Sequence, residues 1–133
     1  MSGIENIIDA LLNEEQNIYG VAVIGLNGRL ITQTENWDIT NDLEAINELI
    51  QTKLELGAKG ITGITIMGIK YMIVENTEER KIGTNITGKG HVIIAPIPIG
   101  GTGALLCYIN PQIGPRDALF TVQNYALKLM EYT

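Results

Sequence analysis

The sequence predicts an α+β fold, in which amphipathic helices pack on a mainly antiparallel sheet of about seven strands. Three observations lead to this prediction. The elements follow the order helix, two strands, helix, five strands, helix. Most links between strands are too short for the crossover that a parallel connection needs. Both terminal helices carry one apolar stripe, which has to be buried against a sheet face.

Composition places all of these elements in one domain. The chain has 133 residues, of which 45% are hydrophobic and 18% charged. It is therefore long enough to bury a core and too short for two domains. No apolar run is long enough to span a bilayer, and the N-terminal segment lacks the pattern of a secretion signal. We expect no membrane insertion and a cytoplasmic location, which the single cysteine, Cys107, also fits.

Two helices are predicted in the first half of the chain. Ser2 and Glu5 have the spacing of a capping box, and the isoleucines and leucines that follow predict an amphipathic helix over residues 3–15. A second apolar stripe at helical spacing predicts a helix that begins at Thr40 or Asn41. Gly57 is the expected stop of this second helix.

The first hairpin lies between these helices. Residues 19–26 and 29–34 are rich in β-branched residues and predict two strands. Asn27 and Gly28 stand between them. This dipeptide is typical of a two-residue type I′ turn, so the strands should pair directly.

A second hairpin is predicted over residues 63–76. Apolar and polar residues alternate in two runs that meet at Gly68, which can adopt the positive φ of a very tight turn. The alternation places Tyr71 on the core side and Lys70 on the side away from the core.

Three more strands are predicted in the second half, over residues 80–87, 91–97 and 104–109. Pro96 and Pro98 should end the middle strand or place it at an edge of the sheet, because proline cannot donate to the strand ladder.

The last helix should begin at Pro115 and run to about Glu131. Phe120 and Leu127 fall on the side opposite its apolar stripe, and two large apolar residues on an outer face favour a contact surface over isolated exposed side chains. Their outward neighbours are Arg116, Gln123 and Asn124. The residues expected on the buried side are Ala118, Leu119, Val122, Tyr125, Ala126, Leu129 and Met130.

The net charge of −6 is distributed unevenly. Residues 1–55 contain ten acidic and two basic residues, whereas residues 56–133 contain five acidic and seven basic ones. The acidic balance argues against nucleic acid as a partner. The basic half could attract an acidic protein partner, or its charges could be ordinary solvated ones. Six of these seven basic residues are Lys59, Lys70, Arg80, Lys81, Lys89 and Arg116, and the seventh is Lys128.

No set of residues at readable spacing predicts an enzyme, a metal site or a cofactor. Residues 83–90 nearly match a phosphate-binding loop, but Gly90 replaces the magnesium-binding hydroxyl and a strand, not a helix, follows. Cys107 and His91 could meet on neighbouring strands as a nucleophilic pair, although a cysteine inside an apolar strand is usually inert.

The run from Thr62 to Met72 resembles the middle of the profilins, the small actin-monomer-binding proteins. The residues that carry this resemblance are Thr62, Gly63, Gly68, Ile69, Lys70, Tyr71 and Met72. Residues 103–109 resemble the last strand of that family, and Pro115 begins the last helix as the family pattern expects. The spare, isoleucine- and asparagine-rich chain looks closest to archaeal profilins.

The resemblance implies a profilin fold, with the terminal helices on one face of the sheet and the other helix on the opposite face. It also implies a cytoskeleton-associated protein that binds the actin monomer and modulates filament assembly. Lys70 matches a basic actin-contacting position, and Phe120 and Asn124 match outward contact positions on the last helix. The complete candidate actin-binding set is Lys70, Met72, Glu75, Lys89, Arg116, Phe120, Gln123, Asn124 and Leu127.

The family pattern is not followed everywhere. Glu75 is acidic where some profilins have a basic or neutral contact, which should tune the surface to a particular actin. The family's aromatic cradle for proline-rich peptides is poorly matched, because the N-terminal aromatics are replaced and only Trp37, Tyr125 and Tyr132 remain as candidates.

An alternative from another class uses a similar order of elements. Roadblock and longin-like modules are scaffolds that dimerise and regulate small GTPases. We expect a monomer for a profilin and a stable dimer for this alternative.

Overall fold

The computed structural model describes residues 3–51 and 63–133. In these ranges the α-helices are α1 (Gly3–Glu14), α2 (Leu43–Gln51) and α3 (Arg116–Leu129), and 3-10 turns cover Thr40–Asp42 and Met130–Tyr132. The strands are β1 (Ile18–Ile24), β2 (Leu30–Gln33), β3 (Gly63–Ile66), β4 (Ile69–Asn76), β5 (Lys81–Thr84), β6 (His91–Ile97) and β7 (Gly103–Ile109). Ser2 of the predicted capping box, Gly57 and the first motif residue, Thr62, lie outside the described residues.

The seven strands form one sheet in the order β2-β1-β7-β6-β5-β4-β3. Every neighbouring pair of these described strands is antiparallel, so the predicted sheet type is confirmed. The edges are β2 and β3. The hairpin of β1 and β2 lies at one edge of the sheet, and the hairpin of β3 and β4 lies at the other. Strands β7, β6 and β5 lie between the two hairpins and are the most enclosed part of the sheet.

The helices cover the two faces as the resemblance implied. One core cluster joins α1 and α3 to wholly buried sheet residues such as Val21, Ile93 and Cys107. The other joins α2 and Trp37 to residues such as Leu106 on the opposite side of the sheet. We call these sides the two-helix face and the α2 face. Each large aliphatic side chain that is fully buried contributes roughly 1.5–3 kcal/mol of transfer free energy.

The turn of the first hairpin differs from the prediction. The N–H of Gly28 donates to the carbonyl of Gly25 at 2.9 Å, and the N–H of Gly25 donates to the carbonyl of Arg29 at 2.9 Å. Of the two predicted turn residues only Gly28 has a positive φ, of 79°. The connection is therefore a three-residue loop with a glycine bulge, because a type I′ turn needs positive φ at both central residues.

The turn of the second hairpin is as tight as predicted. Ile66 pairs with Ile69, and the two residues between them, Met67 and Gly68, have φ values of 51° and 79°. Positive φ at both positions is the type I′ geometry that suits a right-twisted hairpin. The N–H of Met67 also donates to Asp42 Oδ2 at 2.9 Å, which ties this hairpin to the turn before α2.

Strand β5 ends three residues earlier than predicted. The side-chain oxygen of Asn85 accepts hydrogen bonds from the N–H and hydroxyl of Thr87 and from the N–H of Lys89. Asparagine often closes a turn in this way, in competition with strand pairing. The segment that nearly matches a phosphate-binding loop is thus a hairpin turn.

Of the two alternatives predicted for the prolines, the strand end is observed and the sheet edge is not: Pro98 follows Ile97, the last residue of β6. β6 lies between β7 and β5. Its last residue with a β5 partner is Ile94, which pairs with Lys81. Pro96 lies beyond this pair, and its missing N–H therefore interrupts no bond to β5.

Helix α3 begins after Pro115, as predicted, and buries six of the seven residues expected on its inner side. The exception is Met130, which is exposed. The chain enters a 3-10 turn at this residue. Because a 3-10 turn has three residues per turn, Met130 is rotated away from the buried stripe.

Candidate protein-binding surface

Part of the two-helix face is left open by the helices. Met72 on β4, Thr84 on β5 and His91 on β6 are in register across three neighbouring strands. They lie on the same side as the buried pair Ile82 and Ile93, which is two residues further along β5 and β6. Beyond the helices this side of the sheet is accessible, and the exposed side chains of Met72 and Lys70 project from it.

The outer side of α3 supplies an apolar strip beside this open sheet. Phe120 is 74% exposed and Leu127 is 60% exposed, as the periodicity predicted. Asn124 lies between them and is exposed, and Gln123 is half-buried. Residues four and three positions apart lie on one side of a helix, so Phe120, Asn124 and Leu127 form a continuous row.

An ionic cluster connects the strip to the sheet. Arg116 Nη2 in the first turn of α3 donates to Glu75 Oε1 on β4 at 2.7 Å. The other carboxylate oxygen of Glu75 accepts from Arg80 Nε, and Arg80 Nη1 also donates to Glu79 Oε2 at 3.2 Å. The hydrogen bond from Arg116 is the main cause that lowers the pKa of Glu75, and Arg80 adds to it. The open part of β4 and the outer side of α3 therefore belong to one surface.

A groove of about 230 Å³ lies along the apolar strip, between α3 and the end of β6. Phe120 and Leu127 line its helix side, and Pro98 and Ile99 line its other side. Ile99 is exposed and was not identified from the sequence as a surface residue. The sequence does contain a signal for this exposure. Ile99 lies directly between Pro98 and a glycine-rich turn, where a large apolar residue is not part of a strand.

Lys89 lies apart from the rest of the candidate set. It is exposed in the turn between β5 and β6, two residues before His91. Its carbonyl accepts a hydrogen bond from the hydroxyl of Tyr108 at 2.5 Å. Lys89 is therefore at the margin of the surface. The structure brings Arg116 to Glu75 and places Phe120, Gln123, Asn124 and Leu127 along one groove, whereas Lys70 and Met72 lie further along β4.

Trp37 does not contribute to an aromatic cradle at the terminal helices, so this prediction is wrong. It is buried on the α2 face, where its ring stacks on Tyr108 with a centroid distance of 6.1 Å and an interplanar angle of 16°. Gly20 makes this position possible. A Cβ at Gly20 would lie 2.7 Å from the Cβ of Trp37, closer than side-chain carbons approach.

The two tyrosines do not form a cradle either. Tyr125 is buried between the terminal helices, and its hydroxyl donates to Glu14 Oε1 at 3.0 Å. The ammonium group of Lys128 lies 4.3 Å from the Tyr125 ring centroid. Tyr132 is 41% exposed and its ring end packs against Gly3. Of the three predicted aromatics, Tyr132 alone offers an accessible ring.

Cys107 and His91 are not arranged as a nucleophile and its base. Cys107 is wholly buried and is paired across the strands with Ile93. Burial raises the pKa of its thiol, which opposes formation of the reactive thiolate. His91 Nδ1 lies 3.0 Å from Thr84 Oγ1 on β5, whereas Cys107 is on β7, on the other side of β6. The hydrogen bond of the His91 ring is therefore to Thr84.

The fold and the open surface are those of a small protein-interaction domain. The family model for profilin matches residues 2–130, and the chain belongs to the profilin family. Loki profilin-1 from Lokiarchaeum sp. (strain GC14_75) is 69% identical over 128 residues, which cover 96% of each chain. The resemblance to archaeal profilins is therefore confirmed.

Solved structures agree with this assignment. The complex of Loki profilin-2 with rabbit actin contains a chain that is 66% identical, with a TM-score of 0.96 and 100% of both chains covered. Acanthamoeba castellanii profilin IB is 18% identical with a TM-score of 0.72, over 93% of this chain and 94% of that one, and shows the shared fold. These comparisons do not support the roadblock or longin-like alternative. No helix in the described parts of the chain is long and apolar enough to cross a membrane.

Proposed function

We propose that this protein binds actin monomers and modulates the assembly of actin filaments. The observation that carries the proposal is its likeness to a Loki profilin solved with rabbit actin, at 66% identity over the full length of both chains. A TM-score of 0.96 means that the sheet and helices of the two proteins superpose closely. A docking surface of the relative therefore has a direct counterpart here.

We propose that actin docks on the open sheet and the outer side of α3. Phe120 and Leu127 expose a large apolar area, Arg116 lies one helical turn before Phe120, and Lys70 is exposed further along β4. Interfaces are enriched in aromatic residues and arginine at their energetic centres, and an exposed aromatic beside a groove is a suitable anchor. Met72, Gln123 and Asn124 complete the contact, and Lys89 lies at its margin.

The charge distribution supports the same orientation. The half of the sequence that builds β4 and α3 has a net charge of +2, whereas the first 55 residues have a net charge of −8. A positive region directs an acidic partner during diffusional encounter and keeps the acidic half turned away. We therefore expect actin binding to weaken as salt increases.

The protein acts in this proposal as a monomer, without a catalytic step or cofactor, and in the cytoplasm in association with actin. The buried thiol of Cys107 supports the absence of nucleophilic catalysis. Binding of proline-rich peptides at the terminal helices is expected to be weak or absent. Proline rings need accessible aromatic faces, and Trp37 and Tyr125 are buried.

The test is an assembly assay with the organism's own actin. A Lys70→Glu, Phe120→Ala double variant should lose most of the wild-type effect on polymerisation, because it reverses one charge and removes the aromatic anchor. The matched control is Arg29→Glu, Ile31→Ala, which makes the same kind of changes at exposed residues on the opposite edge of the sheet. Equal behaviour of wild type and the first variant would refute the proposed surface.

A further inference from the structure

Glu75, the acidic residue that departs from the family pattern, forms ion pairs with two arginines of its own chain. Its side chain is 19% exposed, and each carboxylate oxygen accepts a hydrogen bond from a different arginine. One of these arginines, Arg80, is five residues away, and the other, Arg116, is 41 residues away. Glu75 therefore presents little free negative charge to a partner.

Arg116 is held by this contact in an unusual way for a surface residue. Its side chain is 62% exposed, and the Nη2–Oε1 contact of 2.7 Å fixes the end of a long side chain that otherwise samples many rotamers. Among the described residues the other N–H groups of this guanidinium have no partner. A guanidinium has five N–H donors in a planar fork, so one edge can bind Glu75 while another remains available.

The free N–H groups of Arg116 are located at the proposed docking surface. Arg116 lies one helical turn before Phe120 on the outer side of α3, beside the apolar strip. An arginine that is already ordered loses less conformational entropy when it binds than a mobile one. The planar fork is complementary to a carboxylate, which it can bind through two parallel hydrogen bonds.

We infer that Glu75 is a positioning residue that holds Arg116 on the docking surface so that its free edge receives a carboxylate of actin. This inference rests on the proposed function and specifies the chemistry of one contact within it. Arg80 supports the arrangement by holding the second oxygen of Glu75. The acidic residue thus increases affinity for an acidic patch, although its own charge has the same sign as that patch.

The inference can be tested because the two possible roles of Glu75 predict opposite signs. If Glu75 acted on actin through its charge alone, Glu75→Gln would remove a repulsion and tighten binding to an acidic patch. If it positions Arg116, the same substitution mobilises the guanidinium and weakens binding. Reordering one long side chain corresponds to an increase in Kd of about 2- to 10-fold.

The experiment measures the Kd for monomeric actin of the same organism at several salt concentrations. Glu75→Gln and Arg116→Gln should each weaken binding and each make Kd less dependent on salt, because both remove one ordered charge contact. In the Arg116→Gln background, Glu75→Gln should have no further effect. Glu78→Gln is the matched control, since it removes one acidic charge from the next turn without contacting Arg116, and its Kd should be unchanged or slightly lower.

Thermal unfolding of each variant shows whether an effect on Kd comes from loss of the fold. If the wild type binds actin and Glu75→Gln binds with an unchanged or lower Kd, the inference is overturned and the proposed function remains intact. Additive effects of Glu75→Gln and Arg116→Gln would also overturn it, because the two residues would then act independently. Absence of binding by the wild type would overturn the proposed function itself.

Discussion

Phe120 provides the sharpest test of the docking surface, because its ring is exposed in the free protein and is expected to be buried in the complex. Phe120→Ala removes roughly 100 Å² of ring surface that is now in water, given 74% exposure and the typical area of an aromatic side chain. Full burial of that area against actin is worth about 2.5 kcal/mol at about 25 cal/mol per Å². The Kd should therefore rise by between about 10-fold and 70-fold, where the upper value corresponds to complete burial.

Folding stability should respond very differently to the same substitution. The ring of Phe120 contributes little to the core, so the free energy of unfolding should change by no more than about 0.5 kcal/mol. Val122, two residues away and wholly buried, is the contrasting position. Val122→Ala should destabilise the fold by about 1–2 kcal/mol and should leave the Kd of the folded fraction almost unchanged.

The assay combines a titration of labelled actin monomers with urea unfolding of the same preparations. Ile31→Ala on the edge strand β2 controls for loss of an exposed apolar side chain elsewhere. If Phe120→Ala changes Kd by less than twofold while the fold is intact, the outer side of α3 does not contact actin as proposed.

Three other predictions concern the fold and the ionic cluster. Gly20→Ala should destabilise the protein by about 1–3 kcal/mol in urea unfolding, because its Cβ would overlap Trp37; unchanged stability would show that the Trp37 ring shifts freely. Cys107 should resist a thiol reagent in the native state and react after unfolding, and rapid native labelling would contradict its burial. The lowered pKa of Glu75 stabilises the fold above its unfolded pKa of about 4.3 and this contribution is lost as pH falls through the lower folded value. Wild type should therefore lose more stability than Glu75→Gln on acidification through this range, and parallel pH profiles would count against the ion pair.

Local patterns in the sequence predicted the elements that depend on neighbouring residues. Strand β6 begins and ends at the predicted residues, and the Met67–Gly68 turn has the predicted tightness, because strand alternation and positive φ at glycine are properties of a few adjacent residues. The exposure of Phe120 and Leu127 followed from the helical period alone. These predictions required no knowledge of which elements are neighbours in space.

Predictions that depended on distant residues were less successful. The position of Pro96 in an inner strand depends on where β5 begins, because Lys81 pairs with Ile94 and no β5 residue lies opposite Pro96. The burial of Trp37 depends on the space that Gly20 leaves on strand β1. Glu75 was interpreted as a partner contact because nothing in its local sequence indicates Arg116, 41 residues further along the chain. In each case the decisive contact joins elements whose relative placement the sequence does not state.

Most aromatic residues of this protein support the fold. Trp37 and Tyr108 stack on the α2 face, with the Tyr19 ring 6.2 Å from that of Tyr108, so these rings support the sheet and the loop before α2. Tyr125 joins α1 to α3 through Glu14. The buried rings of Trp37 and Tyr125 cannot also present their faces to a proline-rich peptide, whereas Tyr19 and Tyr132 are partly exposed. Within the described ranges, an exposed aromatic, an apolar groove and an ordered arginine come together on the outer side of α3, with the end of β6 along the groove and Glu75 of β4 at Arg116. We expect selection on partner binding to act there.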